Sequence, residues 1–359
     1  MYVKYFHICA NWPRLFSLFL ILSIHISCTQ KPTPPEIEPL ADYSTQFEKI
    51  WYDFDLNYSY FNLKNIDWAE TKTGYEPLVE SPISYSNFIS DVILKMLATL
   101  RDEHVYLITN SNDTLKSFTK DFSVNYQYNR SFDNYFNAEF QFSTPNEIIA
   151  FAFLTDEIGY IRINSWQNKF TEEILTFHSI LAQFRDSKAL IIDVRPNFGG
   201  LETLAAEIAG RFTDSGKIYA YHQFRIGPKH TDFTAITPRS FVPTGTWQFT
   251  KPVAVLIGRK CASTNEHFIS MMSTLDQVFT VGDTTRGSTG RPIFFHLDNG
   301  ITYSISNWIS FKSDKTILQD SGIFPDFVIP SNESIVGNRD LVLEKAIHEL
   351  KRKLATDFK

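Results

Sequence analysis

Two periodicities share this chain, and the switch between them predicts its architecture. Phe47, Ile50, Trp51, Phe54 and Tyr58 recur at helical spacing behind the capping box Thr45-Gln46-Phe47-Glu48, so a helix starts there. A second apolar stripe, Phe88, Ile89, Val92, Ile93, Met96, Leu97 and Leu100, predicts a helix over 87–100. The two helices imply an N-terminal helical cap, 43–110, and His104 follows immediately on the second. Residues 111–155 are polar and aromatic and predict a short β insertion, with strands Phe122–Tyr128, Ala138–Phe142 and Ile148–Leu154.

From Ile158 the pattern alternates. Strands are predicted at Ile158–Ile163, Ala189–Val194, Val253–Ile257 and Val278–Val281, separated by helices at Thr171–Phe184, Leu201–Phe212 and Asn265–Leu275. Such alternation argues for right-handed βαβ crossovers and an α/β core spanning 156–335. Strands return at Pro292–Leu297 and Ile301–Ile305, and a C-terminal segment, 336–359, carries a helix near Leu341–Leu354. No internal repeat or low-complexity tract interrupts this order.

With 359 residues, 43% hydrophobic and 15% aromatic, the chain can bury a large core. Lys4 and Arg14 precede the apolar run Leu15–Leu22, which is too short to span a membrane, and Ser27-Cys28 closes it. This is the layout of a signal peptide, 1–27. A small residue before a cysteine resembles a bacterial lipoprotein cleavage site, although His25 stands where such sites usually carry Leu or Val. The alternative is an ordinary cleaved signal with an incidental cysteine. On the lipoprotein reading Cys28 carries the lipid, the proline-rich linker 28–42 spaces the domain from the membrane, and the protein works in the cell envelope, periplasm-facing or at the surface.

Cys28 and Cys261 are then the two cysteines of the mature chain, which excludes a disulfide framework and a cysteine-based zinc site. Net charge is −6; losing residues 1–27 removes two cations and no acids, leaving −8. With no basic run, nucleic acid is not an expected partner. P-loop, GxGxxG and HExxH patterns are missing too, and no cofactor or metal is expected.

The candidate chemistry sits on two strand-to-helix turns. Asp193-Val194-Arg195-Pro196-Asn197-Phe198-Gly199-Gly200 follows one buried strand, and Cys261-Ala262-Ser263-Thr264-Asn265-Glu266 follows another. Backbone N–H groups at such turns suit an oxyanion, which makes Gly199, Gly200 and Thr264 the candidate donors. Ser263 is placed to be an exposed, rigidly aimed nucleophile, though a serine there is commonly only an N-cap. The first lysine after it is Lys312, so His104, beside Asp102 and Glu103, is the better base. His267, one turn into the same helix, points along its flank and ranks second. Cys261 reads as a small buried residue. Asp193, Arg195 and Asn197 are expected to hold the glycine turn by hydrogen bonds.

At these residues the sequence resembles peptidase family S41, which includes C-terminal processing proteases and the tricorn-core and retinoid-binding-protein-like branches. The resemblance runs from about residue 45 to 330 through Asp102–Leu107, Ile158–Ile163, Ile191–Gly200, Cys261–Glu266, Val281–Thr285 and Gly322–Asp326. It implies a crotonase/ClpP-like core with Ser263 as the family serine. Members with a Ser-Lys dyad carry lysine 25 positions later, where this chain has Ser288. That departure implies the histidine-using branch, with His104 as the histidine. The branch's glutamate, three residues before the Gly-Ile-x-Pro-Asp turn, corresponds to Gln319, which the resemblance places in the catalytic set beside Ser263 and His104. An amide accepts a hydrogen bond but does not offset the charge of a protonated imidazole, so Asp320, Asp102, Glu103 and Ser288 are candidate orienting groups. Residues 111–155 are too few for the family's PDZ domain.

The expectation is therefore a metal-independent serine peptidase acting on peptides or proteins of the envelope. Its rival is a degenerate scaffold of the same fold that binds peptides or an envelope partner without cutting. Acyl-CoA chemistry, a third option on a related fold, is disfavoured by export.

Overall fold

The computed structural model describes residues 43–79, 82–127, 135–136, 140–155 and 157–356, and the chain from Asp42 onward forms one compact unit. The expected signal peptide, linker and Cys28 lie outside the described residues. Among these residues no helix is long and apolar enough to cross a membrane.

Continuous apolar runs become the centre of a seven-stranded sheet. Its order is Phe327–Val328, Val278–Gly282, Val253–Ile257, Ala189–Asp193, Ile158–Ile163, Ile149–Thr155, Gln141–Phe142. The first five strands are parallel and the last two antiparallel. Ala189–Asp193 and Val253–Ile257 are buried at every position because both faces of the sheet are covered. Leu190, Ile192, Val253, Val255 and Ile257 pack with Phe177, Leu181, Ile208 and Phe268 on one face. Ala189, Ile191, Ala254 and Leu256 pack with Val342, Leu343, Ala346 and Leu350 of the helix Leu341–Thr356 on the other. The two central strands are parallel neighbours, so the turns that follow them leave the same edge side by side.

The N-terminal helices cover a different sheet. Tyr43–Asn57, Trp68–Tyr75, the π-helical stretch Phe88–Ile93 and Leu94–Ala98 bury Phe47, Ile50, Phe54, Phe88, Met96 and Leu97 against a four-stranded antiparallel sheet. That sheet runs Pro292–His296, Thr302–Ser306, Tyr106–Ile108, Thr114–Lys116. His104 lies in the turn between the last cap helix and the strand Tyr106–Ile108.

Three local expectations need correction. The helix expected over 171–184 is two, Thr171–Leu175 and Phe177–Gln183, broken where the Thr176 N–H reaches back only three residues to the Glu173 carbonyl. Residues 122–127 form no strand: Asn125 Nδ2 donates to the Ile257 carbonyl, and the Asn125 carbonyl accepts from Arg195, so this segment spends its polar groups on the strand ends. A three-stranded sheet, Trp308–Lys312, Lys217–Phe224, Thr237–Phe241, was not anticipated.

Candidate active site

Ser263 immediately precedes the helix Thr264–Met272, with φ 56° and ψ −129°. A non-glycine residue at positive φ stores strain that the surroundings must hold, and a strand–turn–helix elbow of this kind pushes its side chain out of the turn. Ser263 is partly exposed while its neighbours Ala262 and Thr264 are buried. Its own N–H donates to the Ser288 carbonyl at 2.6 Å.

The glycine turn is pressed against this elbow. A side chain at Gly199, where φ is 110°, would meet Ser263 Cβ and the Ala262 carbonyl at 2.9 Å; one at Gly200, where φ is 146°, would collide with the Trp166 backbone at 2.1 Å. Both positions therefore require glycine. Thr264 Oγ1 donates to the Gly200 carbonyl at 2.6 Å, which ties the two turns together. Among the described residues the N–H groups of Gly200 and Thr264 donate to no protein acceptor. Gly199 differs from expectation: its N–H donates to Asn197 Oδ1 at 2.9 Å and so is occupied inside the turn.

Asp193 and Arg195 set the turn from beneath. Arg195 is buried, with Nη2 2.6 Å from Asp193 and 2.8 Å from Asp340. Burial works against both charges, but their pairing outweighs it, holding the Asp193 carboxyl below and the Arg195 guanidinium above their ordinary values. Asn265 was not singled out from the sequence. From the first turn of the nucleophile helix, its Nδ2 donates to the carbonyls of Val194 and Asn197, and its Oδ1 accepts from Trp166 Nε1.

His104 is brought to the same place. Its backbone is fixed by its N–H donating to Asp102 Oδ1 and by Ser304 Oγ donating to its carbonyl. Gly290 lies so close that a Cβ there would meet His104 Cβ and Cγ at 2.9 Å. The ring Nδ1 lies 3.2 Å from Ser288 Oγ and 3.8 Å from Asp102 Oδ1. Burial pushes the imidazole below the ordinary histidine value of 6.5, against the upward pull of Asp102 and Glu103. No hydrogen bond joins the ring to Ser263 Oγ; both residues are instead anchored on Ser288.

The other candidate orienting groups are engaged elsewhere. Gln319 Oε1 accepts from the Thr289 N–H at 2.9 Å and its Nε2 donates to Asp320, so it does not hold His104. Asp320 pairs with Lys64 at 2.8 Å, and Glu103 pairs with Arg286. Asp102 is the buried carboxylate nearest the imidazole among these four acids and amides. His267 lies between the Tyr219 and Trp308 rings, with Nδ1 3.2 Å from Glu202 and Nε2 3.3 Å from Ser310 Oγ. Cys261 donates to the Val194 carbonyl, and burial pushes its thiol well above the ordinary value.

Glu266 is the second residue the sequence did not single out. Its carboxylate accepts from Thr285 Oγ1 at 2.5 Å and from the N–H groups of Gly287 and Ser288 at 2.8 and 2.9 Å. Burial pushes it up to about 7 even against these donors. The signal available in the sequence was two polar residues, Asn265 and Glu266, at the start of an otherwise core-facing helix.

Residues 157–329 match the peptidase family S41 model and residues 39–98 the tricorn protease C1 domain. The carboxy-terminal processing protease CtpA of Bacillus subtilis is 26% identical over 183 residues, covering 50% of this chain and 37% of that protein. A crystal structure of a candidate peptidase from Parabacteroides merdae superposes with a TM-score of 0.73 at 30% identity, covering 86% of this chain and 96% of that one. A lipoprotein from Streptococcus agalactiae, at 14% identity, shares the fold with a TM-score of 0.60 over 86% of this chain and 96% of its own.

Proposed function

The chain belongs to peptidase family S41, and on that premise we propose that it hydrolyses peptide bonds through an acyl-enzyme on Ser263. The observation that carries this reading is the strained Ser263 elbow packed against the glycine turn, with the N–H groups of Gly200 and Thr264 free of any acceptor among the described residues. In the reaction His104, neutral at physiological pH, takes the Ser263 hydroxyl proton as the oxygen attacks the scissile carbonyl. The Gly200 and Thr264 N–H groups stabilise the oxyanion of the tetrahedral intermediate; one such donor is worth roughly 2.7–4 kcal/mol. His104 then gives its proton to the leaving amine, and water, activated by the same imidazole, releases the acyl group. Ser288 holds Nδ1 and Asp102 offsets the imidazolium charge that Gln319 does not.

Substrates are peptides or proteins, and the N-terminal pattern from Lys4 to Cys28 supports an exported, lipid-anchored protein acting in the envelope. Replacing Cys28 by Ser should then move the protein from the membrane to the soluble fraction. A second reading, a scaffold that binds peptides without cutting, is favoured by one observation: Gln319 is spent on Thr289 and supports no imidazole. Turnover of a peptide library by wild type beside Ser263→Ala separates the two. Loss of turnover in the variant supports the peptidase, and equal rates defeat it.

A further inference from the structure

Ser288 also forms part of the wall of a cavity of about 420 Å³. Four cations line it, Lys64, Arg101, Lys120 and Arg286, against two carboxylates, Glu103 and Asp320. Both carboxylates are already committed, Glu103 to Arg286 and Asp320 to Lys64. That leaves Arg101 and Lys120, exposed at the cavity and bonded to the carbonyl oxygens of Lys64 and Arg286, with no acidic partner among the described residues. Nη1 of Arg286, in a side chain 2% exposed whose guanidinium lies over the Phe122 ring, has no hydrogen-bond acceptor among the described residues. An unmet buried donor costs about 1–3 kcal/mol, more when charged; any acceptor oxygen relieves it, and a carboxylate makes the stronger, charge-assisted bond. A neighbouring cavity of about 240 Å³ meets the first at Lys120 and Arg286; its own charged groups are Arg259, paired with Asp283 at 3.1 Å, and Asp121.

The Ser288 carbonyl accepts the Ser263 N–H at 2.6 Å, so this positive cavity begins one residue from the proposed nucleophile. We propose that it is a specificity subsite for a carboxylate of the peptide substrate, either an Asp or Glu side chain or a free C-terminal carboxylate, held by Arg101, Lys120 and Arg286. This deepens the peptidase reading of the same site and rests on it for the word substrate, whereas the binding itself is measurable without hydrolysis. A neutral carbonyl meets the Arg286 donor but leaves the Arg101 and Lys120 charges unmatched, and a cationic group does neither.

The test measures binding of fluorescent peptides to the full-length Ser263→Ala variant by anisotropy. In one series a single Glu, or its Gln counterpart, is walked through a neutral peptide with an amidated end; in the other the same neutral peptide ends in a free acid or an amide. The expected result is binding about tenfold tighter for the acid at one position or at the end, weakening in 0.5 M salt. A preference inside the peptide identifies a side-chain carboxylate and one at the end identifies the terminus. In the double variant Arg101→Gln, Lys120→Gln the ratio should fall to about one, and Arg101→Glu should turn it toward Lys-bearing peptides, a reversal that misfolding does not produce. Equal affinities for acid and amide throughout, or a ratio unchanged in these variants, would overturn the proposal. Charge-selective binding by a protein whose wild type cleaves nothing would instead remove the peptidase reading and leave the subsite.

Discussion

Ser288 Oγ lies 3.2 Å from His104 Nδ1, at the sequence position where lysine-using members of the family carry their base. The same residue accepts the Ser263 N–H on its carbonyl and donates its own N–H to Glu266. All three of its polar groups thus hold one of the other parts of the site. Removing the hydroxyl alone, in Ser288→Ala, leaves both backbone contacts and frees the imidazole. About 1 kcal/mol of orientation is lost, so kcat/KM should fall roughly five- to tenfold while the melting temperature stays nearly constant.

His104 must be neutral to act as a base, and burial holds its pKa below 6.5. Activity should therefore persist into mildly acidic buffer, with the acid limb of kcat/KM centred below that value. Asp102 pulls the imidazole upward, so Asp102→Asn should shift the limb further to acid and lower its plateau, while the Asn Oδ1 keeps the His104 backbone bond. A pH–rate profile of both proteins checks the sign. For stability, a histidine with a depressed pKa contributes above its unfolded value, and that contribution is lost as pH falls through the folded value.

Glu266 has the opposite sign. Its folded pKa, near 7, lies above the ordinary 4.5, so its contribution is full below the unfolded value and declines as pH rises through 7. The variant Glu266→Gln carries no such titration but faces an amide NH2 against the donors of Thr285, Gly287 and Ser288. It should be less stable than wild type at pH 5 by about 1–3 kcal/mol, and the gap should narrow by pH 8, as read by urea denaturation at each pH.

Cys261 should be inert. Its thiol is buried and its pKa raised, so alkylation by iodoacetamide should leave residue 261 unmodified in native protein and modify it fully in denaturant, as read by mass spectrometry.

Much of this arrangement was legible in the sequence because it rests on short-range patterns. Ala189–Asp193 and Val253–Ile257 read as strands since a sheet covered on both faces asks for unbroken apolar runs. The glycine turn and the serine elbow follow directly from where those runs stop. What escaped depends on partners far along the chain. Lys217–Phe224 is only partly buried, and its strand character comes from pairing with Thr237–Phe241 and Trp308–Lys312. Residues 122–127 look like a strand, yet Asn125 is drawn away to Ile257 and Arg195. Gln319 was noticed as a substitution, but its partner Thr289 is fixed only by folding, as are the pairings that divert Glu103 to Arg286 and Asp320 to Lys64. The occupied N–H of Gly199 is instead a local effect: Asn197, expected to hold the turn by hydrogen bonds, does so by taking the N–H that was also assigned to the oxyanion.

The central claim is that Ser263 is an activated nucleophile, and covalent labelling reads it most directly. Wild type treated with a fluorophosphonate and digested for mass spectrometry should carry one phosphonyl adduct, on the peptide containing Ser263, and His104→Ala should lose nearly all of it. A folded wild-type protein with no adduct, or with its adduct on another residue, would contradict the account.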